Sequence, residues 1–225
     1  SNASWKNLRK INLSSNYIGD KGAIAFGANS HWGNLEDLDL SNNQIDDEGS
    51  KAIGYNSSWK SLKRLNLSSN WLGDVGAVAI AENATWNSLE ALELSKNYTG
   101  DKGGAALGEN TNWSNLKILS LELNKIGDTG ASIIVKNSTW VNLEELYLAG
   151  NEISIEMADE LKPHQSWVKL KTMICKVENK VVQDLFENFQ DLLQEGGIKL
   201  SSSSVNDSDA VIVARSLRWT ELQIL

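Results

Sequence analysis

The stretch WKSLKRLNLSSNWLGDVGAVAIAENAT, residues 59–85, decides the fold because it recurs along the chain with a fixed length of 27 residues. Seven of the nine tryptophans open these units, at Trp5, Trp32, Trp59, Trp86, Trp113, Trp140 and Trp167. A fixed period of about 20 to 50 residues is typical of solenoids, in which each unit buries its apolar side against its neighbours. The sequence therefore predicts a repeat architecture.

Each unit contains signals for a strand followed by a helix. Leu65 and Leu67 stand two apart, which predicts a short strand with both leucines facing the core. Asn70 follows the strand, and a buried Asn must be hydrogen-bonded, so we expect a column of such residues to bond the loops of adjacent units. Asp74 is placed as a helix N-cap, and Asn83 fits a left-handed C-terminal cap.

This pattern resembles a known family. Trp-x-x-Leu-x-x-Leu-x-Leu-x-x-Asn-x-Ile followed by Gly-Asp-x-Gly-Ala is similar to the leucine-rich repeat of the ribonuclease-inhibitor-like class, in the bacterial type with a regular Trp. The resemblance implies an α/β solenoid of about eight repeats, curved, with parallel strands on the concave face and short helices on the convex face. Residues 1–3 look like an expression-tag scar, and we expect 4–225 to be a single domain, with six regular repeats over 4–166 and degenerate repeats over 167–225.

Composition and isolated residues argue against several functions. The net charge of −8, without a basic stripe, argues against nucleic acid and anionic membranes, and no apolar run approaches the roughly 18 residues of a membrane span. His31 and His164 are far apart and lack metal-ligand spacing, while Cys175 occupies an inward position and is expected to be a buried thiol. We therefore expect no metal, no cofactor and no catalytic constellation, so the sequence does not predict an enzyme.

Two columns of residues have perfect periodicity. The Trp column permits a stacking platform for sugars or peptides, but regularity of this kind favours a structural spine. A second column alternates in sign and is expected to aid solubility and strand register rather than to form a site. Its members are Arg9, Glu36, Lys63, Glu90, Lys117, Glu144 and Lys171.

Binding residues are expected where the units differ. Outward positions are mostly polar in the first four units, and become apolar in the fifth to seventh at Ile118, Leu123, Tyr147, Ile174 and Val177. Exposed apolar patches indicate protein contacts, although the aberrant seventh unit offers the alternative that these groups are buried within the chain. Trp71 and Tyr98, in adjacent strand-exit loops, fit either an aromatic anchor or residues that lie flat over the repeat edge.

The sequence thus predicts a protein-interaction module that binds a protein partner through its concave face. The family resemblance also implies an effector that an intracellular bacterium delivers into a host cell. Two alternatives stay open, a GTPase-activating-type regulator that needs an arginine, and the recognition half of a larger enzyme. Because neither end shows a polar capping unit, the ends favour continuation of the chain or self-association.

Overall fold

The computed structural model describes Trp5 and residues 7–175, and here seven strands alternate with six short helices. The strands are β1 (Lys10–Asn12), β2 (Asp37–Asp39), β3 (Arg64–Asn66), β4 (Ala91–Glu93), β5 (Ile118–Ser120), β6 (Glu145–Tyr147) and β7 (Thr172–Ile174). The helices are α1 (Asp20–Gly27), α2 (Asp47–Gly54), α3 (Asp74–Ala81), α4 (Asp101–Glu109), α5 (Asp128–Val135) and α6 (Ile155–Glu160). Val177 and the degenerate repeats expected after residue 175 lie outside the described residues.

One parallel sheet joins the strands in chain order, from β1 to β7. The register repeats the sequence period, because Leu65 lies opposite Leu38 on one side and opposite Leu92 on the other. These middle leucines are completely buried, whereas the residues beside them face the other side of the sheet. Strands of three residues persist because each buries its apolar side chains between two neighbouring units. The predicted parallel sheet with alternating helices is confirmed.

The tryptophans form an internal spine. Trp59, Trp86, Trp113 and Trp140 have no exposed surface, whereas Trp5 in the first unit is 56% exposed. Each Trp carbonyl also accepts a hydrogen bond from the amide of the leucine three residues later, for example Leu89 N to Trp86 O at 3.1 Å. This bond closes the turn that leads into the strand. The structural interpretation of the column is confirmed.

The asparagines after the strands form the predicted ladder between units. The Asn97 side-chain Nδ2 donates to the carbonyls of Leu67 in the preceding unit, at 2.9 Å, and of Leu94 in its own unit, at 3.0 Å. Its Oδ1 accepts the amide of Leu72, again in the preceding unit, at 3.0 Å. A single buried amide therefore satisfies backbone groups that the turn would otherwise leave unpaired.

The aspartates that recur every 27 residues do not cap their own helices, in contrast to the sequence prediction. Helix α3 begins at Asp74 itself, and its N-cap is Gly73, without a side-chain hydrogen bond. Asp74 Oδ1 instead accepts the amides of Gly100 and Gly103, both at 2.8 Å, at the start of α4. Parallel stacking places each carboxylate beside the free N–H groups of the next helix, where a negative charge is favourable. A Cβ on Gly103 would lie 2.8 Å from this oxygen, which explains the glycine.

The expectation of a left-handed cap at Asn83 is also wrong. Helix α3 ends at the C-cap Glu82 with φ −72°, and Asn83 is not among the residues with positive φ. Asn83 Nδ2 donates to the carbonyls of Gly54, at 2.6 Å, and Asn56, at 2.9 Å, in the preceding unit. The Asn83 side chain thus bonds carbonyl groups at the carboxyl end of a neighbouring helix, and its own backbone does not adopt the left-handed conformation.

Candidate partner-binding face

The first and third residues of each strand present their side chains away from the leucine core, and together they form what we call the sheet face. The first residues are Lys10, Asp37, Arg64, Ala91, Ile118, Glu145 and Thr172. The third residues are Asn12, Asp39, Asn66, Glu93, Ser120, Tyr147 and Ile174. The face divides into a polar half on β1–β4 and an apolar half on β5–β7.

Ion pairs and hydrogen bonds neutralise the charged side chains of the polar half. Lys10 Nζ lies 3.8 Å from Asp37 Oδ2, and Arg64 Nη2 lies 2.8 Å from Glu93 Oε1. Asp39 accepts hydrogen bonds from Asn12 Nδ2 at 3.2 Å and from the Ser41 amide and hydroxyl at 3.0 and 2.7 Å. The depression between these side chains has a volume of about 210 Å³, below the usual size of a small-molecule pocket.

Three of the predicted binding residues lie in the apolar half. Tyr147 and Ile174 are register partners on β6 and β7, while Ile118 on β5 lies opposite Glu145. All three are half-buried, so each keeps solvent-accessible surface. The Tyr147 hydroxyl donates to Glu145 Oε2 at 2.8 Å, which turns the polar tip of the ring toward the start of its own strand.

Burial and two neighbouring carboxylates together raise the pKa of the Tyr147 phenol. Burial raises the pKa of the phenol to about 12, and the hydrogen bond to Glu145 and the charges of Glu145 and Glu122 act in the same direction. The phenol therefore stays protonated near neutral pH. Burial also raises the pKa of Glu122, partly offset by the charge of Lys96.

Leu123 belongs to a turn rather than to a strand column. Its backbone is left-handed, with φ 52°, as are Ser15, Asn42, Ser69, Lys96 and Gly150 at the equivalent positions. The Leu123 side chain packs over Gly150 of the next unit, where a Cβ would lie 2.5 Å from Leu123 Cδ2. The structure thus places Leu123 in the turn that follows β5, outside the strand column that contains Tyr147 and Ile174.

The aromatic pair Trp71 and Tyr98 lies on the strand-exit loops, in the third and fourth units. Their side chains are 52% and 53% exposed. Lys125 Nζ lies 5.1 Å from the centroid of the Tyr98 ring, within the range of a cation–π contact. These side chains form a separate edge patch in different units from Tyr147.

Only some neighbouring members of the alternating charge column form ion pairs in the described residues. Glu36 pairs with Arg9 and with Lys63, Glu90 pairs with Lys117 at 2.6 Å, and Glu144 pairs with Lys171 at 2.5 Å. Among the described residues, no ion pair joins Lys63 to Glu90 or Lys117 to Glu144. The column of ion pairs is therefore interrupted at these two steps, because Lys63 bonds Glu36 and Lys117 bonds Glu90.

Glu122 and Glu145 are the residues of this region that the sequence prediction missed. The signal for Glu122 was available, because the equivalent positions in the four preceding units are Ser14, Ser41, Ser68 and Ser95. Glu145 had no such signal, since charged residues occur elsewhere in its column.

The residues discussed above as possible catalytic groups, His31, His164 and Cys175, lie within the described part of the chain. His164 Nδ1 lies 2.9 Å from the Ser166 hydroxyl, and burial raises the pKa of the half-buried Cys175 thiol to about 12. The described residues contain no group of three His, Cys, Asp or Glu side chains able to hold a metal ion. No helix in the described part is long and apolar enough to cross a membrane.

Comparison with known proteins supports the repeat assignment. The family model described as "Leucine Rich repeat" matches residues 6–27, 34–54, 60–81 and 114–135. Among curated protein sequences, no relative matches this chain.

The solved structure of an internalin shares the repeat fold. The chain is similar to an internalin (inlF) from Listeria monocytogenes, with a TM-score of 0.51 and 20% identity over 79% of this chain and 50% of that one. It also aligns with a chain of the complex of the Arabidopsis receptor kinase HAESA with the peptide hormone IDA and the co-receptor SERK1, with a TM-score of 0.38 and 18% identity over 65% of this chain and 30% of that one. The chain thus spans half the length of the internalin chain. Its described units have the fold of a leucine-rich repeat solenoid, and four stretches match the leucine-rich repeat family itself.

Proposed function

We propose that this chain is a non-catalytic interaction module that binds a partner protein through the apolar half of its sheet face. The observation that carries the proposal is the change of character along one continuous sheet. Positions occupied by Asn12 and Asp39 in the first units are occupied by Tyr147 and Ile174 in the sixth and seventh. Solenoids commonly bind through such extended faces.

Tyr147 is the proposed centre of this contact. Its ring offers apolar area while its hydroxyl is already oriented by Glu145, so little side-chain freedom is lost on binding. Tyr is enriched among residues that contribute most to binding energy. Ile118 and Ile174 extend the apolar area across β5 and β7, and Leu123 is proposed to extend it at the strand-exit side. The patch of Trp71 and Tyr98 is a second proposed contact.

The test compares equivalent positions at the two ends of the face. A partner is captured on the immobilised full chain and identified, and its affinity is measured for Tyr147→Ala and for the control Asn12→Ala. We expect Tyr147→Ala to weaken binding by at least about 2 kcal/mol, roughly 30-fold, without a large fall in Tm. The control should change little, because Asn12 is exposed. Loss of binding in Asn12→Ala but not in Tyr147→Ala would place the site at the other end.

The finer assignments remain proposals of the same kind. We propose the ribonuclease-inhibitor-like class because a helix follows each of the first six strands, and we propose one repeat domain over 4–225. An effector role inside a host cell rests on the resemblance of the regular repeats. The GTPase-regulator alternative is less favoured, because both described arginines are ion-paired, Arg64 on β3 and Arg9 directly before β1.

A further inference from the structure

Two carboxylates lie near Tyr147, Glu145 on β6 and Glu122 directly after β5. Glu145 is on the same strand and accepts the Tyr147 hydroxyl at 2.8 Å. Glu122 follows Leu121, whose amide donates to the Tyr147 carbonyl at 2.8 Å, so the backbone register holds Glu122 beside the end of β6. Both negative charges act on the same phenol.

These carboxylates differ from Asp37 and Glu93 in forming no ion pair. Asp37 and Glu93 each form an ion pair, with Lys10 and Arg64. Within residues 7–175, the Glu145 side chain bonds only the Tyr147 hydroxyl and forms no ion pair, although the charge of Lys171 acts on it. The Glu122 side chain has neither an ion pair nor a hydrogen bond in the same range. Lys96 acts on Glu122 only through its charge, without an ion pair. A partly buried carboxylate without a partner is unfavourable, and a cation supplied by a ligand relieves that cost.

Apolar surface adjoins this negative charge. Ile118 lies opposite Glu145 on β5, and Ile174 lies opposite Tyr147 on β7. A complementary segment must therefore carry a positive group next to an aliphatic one. Arginine fits better than lysine, because its planar guanidinium bonds carboxylates through several N–H groups, stacks on aromatic rings and is more weakly hydrated.

We propose that the apolar half of the sheet face binds a partner segment with an arginine beside an aliphatic residue, the guanidinium bonding Glu122 and Glu145 and the aliphatic side chain contacting Ile118 or Ile174. The inference rests on the proposed function and specifies the chemistry of its partner. The occupant is a segment of another protein.

The test begins with random peptides displayed on phage and selected on the full chain. Peptides whose binding is lost in Tyr147→Ala are retained and synthesised with each arginine either intact or replaced by citrulline, which has the same shape but no charge. We expect the retained peptides to be enriched in arginine next to Leu, Ile or Val. Citrulline should weaken binding by at least about tenfold on the wild-type chain.

The decisive comparison uses Glu122→Gln/Glu145→Gln. This double variant should bind the arginine peptide at least about tenfold more weakly, and citrulline should then cause little further loss. The matched control Asp37→Asn/Glu93→Gln removes two carboxylates from the polar half, so it changes the net charge equally and should leave binding nearly unchanged. Equal loss in both double variants would show a general charge effect and overturn the proposal.

Other outcomes separate this inference from the proposed function. Retained peptides that bind equally with citrulline overturn the arginine proposal and leave the protein-binding function standing. A library that yields no peptide dependent on Tyr147 overturns both. A fall in the Tm of the full chain in Glu122→Gln, without any peptide, would show that a cation of the chain itself already pairs with Glu122, and the proposal would be wrong.

Discussion

The polar half and the apolar half of the sheet face share one backbone register, yet they differ in how their outward groups are satisfied. On β1–β4, Asp37 and Glu93 are paired by cations of the same face. On β5–β7, Glu145 bonds a tyrosine, and Ile118 and Ile174 present apolar side chains beside this pair. The leucine core beneath is the same in both halves. Stability therefore depends on positions that repeat, and we propose binding for positions that vary.

Replacement of a buried spine tryptophan should lower the free energy of unfolding most, and should destabilise the polar half and the apolar half alike. We expect Trp86→Ala and Trp113→Ala each to lower the free energy of unfolding by about 3–5 kcal/mol, the usual cost of truncating a large buried aromatic side chain. Chemical denaturation of the purified chain measures this loss. Trp5→Ala is the control, and should cost much less because Trp5 is 56% exposed. Equal losses at Trp5 and Trp113 would contradict the spine.

Loss of one asparagine from the ladder should cause the second-largest fall in the free energy of unfolding. Asn97→Ala leaves the buried amide of Leu72 without its partner, whereas the Leu67 carbonyl keeps the bond from Asn70 Nδ2. We expect a loss of about 2–3 kcal/mol in the free energy of unfolding, measured by denaturant titration. Asn16→Ala is the matched control, because Asn16 is exposed and bonds only carbonyls of its own unit. If the two variants lose the same stability, the bonds between units contribute nothing.

A smaller change, in the opposite direction, is expected at the strand-exit turn of the apolar half. Leucine in a left-handed conformation costs about 1–2 kcal/mol, whereas asparagine tolerates it and occurs there as Asn42. Leu123→Asn should raise stability by about 0.5–1 kcal/mol, since lost packing over Gly150 offsets part of the gain. Thermal unfolding measures the change. Ser69→Asn, in the polar half, should change Tm less, and a fall in Tm for Leu123→Asn would show that packing dominates.

The smallest effect is expected in the charge column. Glu90→Lys replaces the partner of Lys117 by a second cation. Exposed ion pairs contribute little, so we expect a fall in Tm of about 1–2 °C at low salt that shrinks as salt is added. Thermal unfolding at two ionic strengths measures it. Glu90→Gln should lower Tm less, and a fall independent of salt would show that charge is not the cause.

The sequence was sufficient for features that one unit displays by itself. The inward position of Leu65 and the buried amide of Asn97 follow from period and residue type, because every unit repeats them. The predicted binding residues Ile118, Tyr147 and Ile174 occur on one face of the sheet for the same reason. Their role in binding remains a prediction.

Several side chains that contact an adjacent unit were not predicted correctly. Asp74 and Asn83 have side chains suited to caps of their own helix, but stacking offers them backbone groups of adjacent units. Leu123 is left-handed although leucine disfavours that conformation, since its amide donates to the Ala149 carbonyl in the following unit at 2.8 Å. The importance of Glu122 depends on which carboxylates find a cation, and spacing along the chain contains no information on that pairing.

The aspartate contact between units has an evolutionary consequence. Because Asp74 bonds helix α4, and Asp101 bonds the start of α5 through Gly127 and Gly130, each unit completes its successor by the same rule. A duplication or deletion of one whole unit therefore preserves every junction, provided that the change is 27 residues long. Changes of any other length break the contact. Such a chain can gain or lose outward residues by recombination of whole units, and its recognition surface can diversify without any redesign of its interior.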